Sequence, residues 1–67
     1  MPMINVQMLE GRTIEQRRML AKELTEGTCR ALGCPADAVE IILTDVKREN
    51  WASTGKIASD WSSTHKP

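Results

Sequence analysis

The chain has no phenylalanine and no tyrosine; Trp51 and Trp61 are its only aromatic residues. Aromatic side chains dominate core and interface energetics, so beyond these two tryptophans the 67 residues have little to anchor an interface. Cysteine is also scarce. Cys29 and Cys34 make no framework of the kind that staples small secreted domains. Both read as reduced thiols of a cytosolic protein, used as small packing residues. His65 is the one histidine, and no CxxC or HxxxH spacing occurs, so no metal site is expected. Excess charge of either sign is absent, because nine basic and nine acidic residues cancel. That argues against a nucleic-acid partner, which would demand a basic face. No apolar run reaches the roughly 18 residues of a membrane span. Residues 1–9 lack a basic n-region and a cleavage site, so no signal peptide is expected. A cytoplasmic location follows as an expectation.

What remains is short and mixed. A chain this small buries only about 60% of its unfolded surface. Without disulfides or a metal, oligomerisation is the expected source of further burial. There is no internal repeat, linker or low-complexity tract, so residues 1–67 are expected to form a single domain. The polar tail at 62–67 is expected to fray.

Along the chain, Ile4, Val6 and Met8 alternate with Asn5 and Gln7, a period of two that predicts a strand over Met3–Leu9. Glu10-Gly11-Arg12 is a turn. Thr13 and Gln16 then match a capping box, with Thr13 as N-cap and Gln16 at N3. Glu15 suits the positive end of the helix dipole. The helix is expected to run to about Leu32, burying Leu20, Ala21, Leu24, Thr28, Ala31 and Leu32. Glu26 and Arg30 stand at i,i+4 and can pair in the favourable orientation. Gly33 supplies a left-handed stop and Pro35 prevents continuation. Gly27, in mid-helix, implies close packing against a sheet or another helix.

Val39, Ile41 and Leu43 alternate with Glu40, Ile42 and Thr44, predicting a second strand over Val39–Val46. Strand, helix, strand is a βαβ unit, whose right-handed crossover makes the strands parallel. Residues 47–61, with both tryptophans and Gly55, read as loop and short hairpin. One helix covers one sheet face. Asn5, Gln7, Ile42 and Thr44 would line the other, and both sheet edges stay open, which again calls for partner subunits.

The second residue is Pro2. A small second residue normally lets the initiator methionine be removed, which would leave proline carrying the free α-amino group. An α-amino group titrates at about 7.7–8.0, lower when desolvated or flanked by cations. Such an amine is suited to act as a neutral general base near pH 7.

The order Pro2, strand, Leu9-Glu10-Gly11-Arg12-Thr13, capped helix, Gly33-x-Pro35, strand and an aromatic residue at 51 resembles the 4-oxalocrotonate tautomerase family. The resemblance spans roughly Pro2 to Trp61. It implies an α/β (α+β) subunit, one βαβ unit with a short C-terminal hairpin, assembled as a homohexamer built from a trimer of dimers. It also implies cofactor-free 1,3-proton transfer on enol or unsaturated 2-oxo acids. Pro2 matches the family's amino-terminal base, and Arg12 an arginine that binds a substrate carboxylate. Trp51 falls where the family places an aromatic pocket wall, and Leu9 and Arg48 are expected to line the same pocket. Glu40 departs from the pattern: the best-known members carry a second arginine there, which stabilises charge developing on the 2-oxo group, an electrostatic role. Lys47 and Arg48 are the nearest cations to replace it. Alternatively, Glu40 activates water in a hydratase- or dehalogenase-like reaction, as in some relatives of the superfamily. A non-catalytic oligomeric binding protein of the same fold is the reading from another class.

One strand separates Pro2 from Arg12. At about 3.3 Å per residue it spans roughly 25 Å, too far for one small substrate. If the two act together, Arg12 must come from a neighbouring subunit.

Overall fold

Alternation over the first strand is borne out: Met3–Leu9 forms β1, half-buried at Ile4, Val6 and Met8. The computed structural model describes residues 1–61, so the tail at 62–67 lies outside the described residues. After the turn, the helix α1 runs Ile14–Leu32, and both halves of the capping box form. The Thr13 hydroxyl accepts from the Gln16 N–H at 3.1 Å, and the Gln16 side-chain carbonyl accepts from the Thr13 N–H at 2.9 Å. Two helix-end donors are thereby satisfied. Gly33 ends the helix at φ 68°, and its N–H donates to the Cys29 carbonyl at 2.9 Å. The left-handed conformation is the one a glycine adopts without a Cβ penalty.

A 3-10 turn at Ala36–Ala38 leads into β2, Glu40–Val46, one residue later than expected because Val39 closes that turn. The strands pair in parallel with Ile4 opposite Ile41, Val6 opposite Leu43 and Met8 opposite Asp45. These residues make the face turned to α1. Met3, Asn5 and Gln7 with Glu40, Ile42 and Thr44 make the other face, which is open: Met3 is 54% and Ile42 49% exposed. A 3-10 turn at Arg48–Asn50 precedes a second, antiparallel pair, β3 (Ala52–Ser53) and β4 (Lys56–Ile57), followed by a 3-10 turn at Ala58–Asp60. The expected hairpin is therefore present.

Burial is thin. Among the described residues only Leu9 and Ala58 are fully buried hydrophobics. The Cα radius of gyration is 14.7 Å, against about 11 Å for a compact chain of this length. The chain alone does not close a core. No helix among the described residues is long and apolar enough to cross a membrane.

Three expectations for the helix need correction. Ala31 and Leu32 are exposed, Leu32 by 64%, not part of the inner stripe. The cause is length: 19 residues of helix span about 28 Å, while a strand of seven residues spans about 23 Å. The last turn therefore outruns the sheet. Glu26 pairs with Lys22 at 3.3 Å, one turn earlier, not with Arg30. Within the chain Gly27 meets no sheet or helix; a Cβ added there would find only the Arg30 Nη2, at 3.8 Å. Close packing in the chain does not explain that glycine.

The two cysteines are free. They flank the helix stop at the positions whose side chains commonly touch across a Gly-terminated helix end. Partial desolvation, then the neighbouring Cys34 thiol, push the Cys29 thiol above its ordinary pKa.

Two substitutions test these local readings. In the hairpin turn Thr54 has φ 51° and Gly55 φ 80°, the pattern of a type I′ turn, which favours Asn-Gly and strains a β-branched residue. Thr54→Asn is expected to stabilise by about 0.5–1 kcal/mol, read as a higher melting temperature. Gly27→Ala is expected to add about 1 kcal/mol by helix propensity; a loss of stability in thermal unfolding would place a neighbouring subunit against that position.

Candidate active site

The parallel register sorts the expected site residues to opposite ends of the sheet. At one end, the Glu40 N–H donates to the Pro2 carbonyl at 3.0 Å. This contact fixes Pro2, itself half-buried, beside the first residue of β2. Met1 precedes it and is 89% exposed. The other end begins where β1 and β2 finish. There the Glu10 N–H donates to the Val46 carbonyl at 3.0 Å, and Arg12 follows from β1 while Lys47 and Arg48 follow from β2. Pro2 and Glu40 are thus neighbours, and Arg12 lies about 23 Å from them along the strand. One chain does not bring Pro2 and Arg12 together.

At the Arg12 end a concavity of about 210 Å³ opens between the first turns of α1 and the sheet, lined by Met8, Arg12, Gln16, Arg17 and Leu20. Met8 and Leu20 supply apolar wall, and the polar lining is arginine and amide. Arg12 is exposed and forms no hydrogen bond or ion pair with the described residues. Arg17 is half-buried and is paired with Asp45, the last inward-facing residue of β2. The first turn of a helix adds positive potential here. The arrangement is suited to hold an anion with a short apolar body.

The remaining expected residues are placed as follows. Leu9 is 3% exposed, so it belongs to the small core. By alternation it falls on the open face with Asn5 and Gln7, and it is opposite Val46, where the chain turns into residues 47–61. Arg48 is engaged inside the chain. Its Nη2 donates to the Ala58 carbonyl at 3.2 Å, and its guanidinium lies over the Trp61 ring, 5.9 Å from the centroid. Trp51 is half-buried at the entry to β3, and its carbonyl accepts from the Ala58 N–H at 2.7 Å. Among the described residues no three His, Cys, Asp or Glu side chains group to hold a metal ion.

Arg17 and Asp45 did not stand out from composition or motif. The readable signal was periodicity. Arg17 lies one turn before Leu20 on the inner stripe of the helix, and Asp45 continues the Ile41, Leu43 series of the second strand. Two opposite charges on two inward faces are expected to meet.

Comparison with known proteins identifies the family and the fold. The model of the tautomerase enzyme family matches residues 2–60. A probable tautomerase of Streptococcus pneumoniae is 39% identical over 57 residues, 85% of this chain and 95% of that protein. The 2-hydroxymuconate tautomerase of Bacillus subtilis is 35% identical over 60 residues, 90% of this chain and 97% of its own. Among solved structures, a 4-oxalocrotonate tautomerase isozyme of Methylibium petroleiphilum superposes with a TM-score of 0.85 at 34% identity, covering 87% of this chain and 94% of the other. A heterohexameric 4-oxalocrotonate tautomerase of Chloroflexus aurantiacus gives 0.88 at 29% identity, covering 92% of this chain and all of the other. With the capped helix, the parallel strand pair and the Pro2-to-Arg12 segment in place, the chain belongs to the 4-oxalocrotonate tautomerase family of tautomerase enzymes.

Proposed function

We propose that this tautomerase moves a proton within small enol or unsaturated 2-oxo acids without a cofactor, using the Pro2 amine as general base once Met1 is removed. The observation that carries the reading is the placement of Pro2. It sits at the start of the sheet, half-buried, with its carbonyl tied to β2 and only an exposed methionine before it. The neutral amine takes the enol proton, becomes an ammonium, and returns a proton to carbon as the ketone forms. Partial burial and the guanidinium of a neighbouring subunit's Arg12 both favour the neutral amine.

Arg12 of a neighbouring subunit holds the substrate carboxylate in a bidentate fork. The distance along β1 requires the neighbour, and the open sheet face and thin core supply a reason for one. A homohexamer is the assembly that suits this site. Trp51 forms part of the pocket wall and keeps water out, which strengthens the electrostatics inside. Leu9 backs that wall, and Arg48 holds the loop that carries Trp51. The two free thiols suit a reducing cytoplasm. The substrate class is supported by relatives named for 2-hydroxymuconate.

A second reading draws on one observation, the contact between Glu40 and Pro2. That backbone bond brings the first residue of β2 next to Pro2, and on this reading the Glu40 carboxylate activates water for hydration of an unsaturated acid.

The test is ketonisation of phenylenolpyruvate, followed by absorbance, with removal of Met1 shown by mass spectrometry. Pro2→Ala with a free amino terminus is expected to lower kcat/KM about a hundredfold or more. Protein that retains Met1 is expected to be inactive. Undiminished turnover in both would sink the proline-base reading, and hydration activity that disappears in Glu40→Gln would favour the second.

A further inference from the structure

We infer that Arg17 is a second cationic ligand for the substrate's anionic end, acting with Arg12 in the concavity at the carboxyl ends of the strands. This rests on the proposed role of Arg12, and it identifies a cation in a chain that has Glu40 where the resemblance leads one to expect an arginine.

Four observations converge. First, Arg12 and Arg17 line one concavity, and Lys47 and Arg48 are not among its lining residues. Arg48 is already engaged with the Ala58 carbonyl and the Trp61 ring. Second, the polar side chains lining the concavity, Arg12, Arg17 and Gln16, are rich in donors. The capping box fixes the Gln16 amide, because its carbonyl oxygen is taken by the Thr13 N–H. That leaves its NH₂ group beside two guanidinium groups, with Met8 and Leu20 as the apolar part of the lining. A rim with two guanidinium groups over an apolar floor favours an anion joined to a hydrocarbon chain. Third, the volume of about 210 Å³ equals about seven waters at their share of the liquid, which is room for a carboxylate and a short chain. Fourth, Asp45 holds Arg17 in place without using it up. The pair meets through one Nη of Arg17 and one carboxylate oxygen of Asp45, and a guanidinium carries five N–H donors. The Arg17 and Asp45 side chains are 30% and 35% exposed, so the remaining donors are within reach of a ligand.

Asp45 is accordingly a positioning residue. It orients the guanidinium and offsets part of its charge, so an incoming carboxylate competes with it. The two residues of the pair therefore have different effects on ligand affinity, although breaking the pair from either side removes the same contact from the fold.

The experiment uses that difference. Binding of fumarate, an unreactive short dicarboxylate, is measured by calorimetry for the wild type and for Arg17→Gln, Arg17→Lys, Asp45→Asn and Arg12→Gln, with thermal unfolding of each. Arg17→Gln is expected to weaken binding about tenfold or more, as expected for loss of charge-assisted hydrogen bonds. Arg17→Lys is expected to fall between Arg17→Gln and the wild type, because lysine keeps the charge and loses the fork. Asp45→Asn is expected to bind as tightly as the wild type or more tightly. Its melting temperature should fall by as much as that of Arg17→Gln. Equal weakening by Arg17→Gln and Asp45→Asn, or no weakening by Arg17→Gln, would overturn the inference and leave Arg17 a structural partner. Arg12→Gln reports separately on the reading beneath it. Binding to the Pro2→Ala protein keeps the result independent of whether proline is the base.

Discussion

A parallel strand pair joined by a single helix covers one face of its sheet and no more. Most of what is unusual in this subunit follows from that constraint. The helix shields the face made by Ile4, Val6, Met8, Ile41 and Leu43. The opposite face, with Met3 and Ile42, stays in solvent, and full burial is confined to Leu9 and Ala58 among the described residues. Apolar burial is the main favourable term in folding, so a chain with so little of it needs contact with other chains. The same geometry separates Pro2 from Arg12 by the length of a strand. Stability and the proposed chemistry therefore both call for association.

Local signals carried much of the fold. Thr13, Gln16 and Gly33 set the helix ends because capping is decided by a few neighbouring residues. The alternation in both strands gave their register faces. The parts that were not legible depend on relations between elements. Leu32 continues the apolar stripe perfectly well; its exposure results from a helix longer than the strands it lies on. Glu26 had two possible partners one turn away, and the sequence does not rank Lys22 against Arg30. Gly27 has an environment that one chain does not explain.

The candidate site divides in the same way. Pro2 and Arg12 were visible as a pattern because the family's spacing is fixed along the chain. The pairing of Arg17 with Asp45 was hidden because it becomes meaningful only when helix and second strand are brought together. Arg48 shows the reverse. As a cation near the pocket it looked available, and the structure spends its guanidinium on the Ala58 carbonyl and the Trp61 ring. A count of basic residues near a site is therefore a poor guide to free cations; the partners already taken decide.

The hydrogen bond from Glu40 to the Pro2 carbonyl has a consequence for maturation. Proline has no N–H, and β1 begins at Met3. The sheet therefore draws no bond from the peptide nitrogen that joins Met1 to Pro2, and cutting that bond leaves the ladder whole. Removal of Met1 would thus cost the strand pair no hydrogen bond. An assembly of both would hold active and silent sites side by side, and on the proposed chemistry its specific activity would track the fraction of chains trimmed.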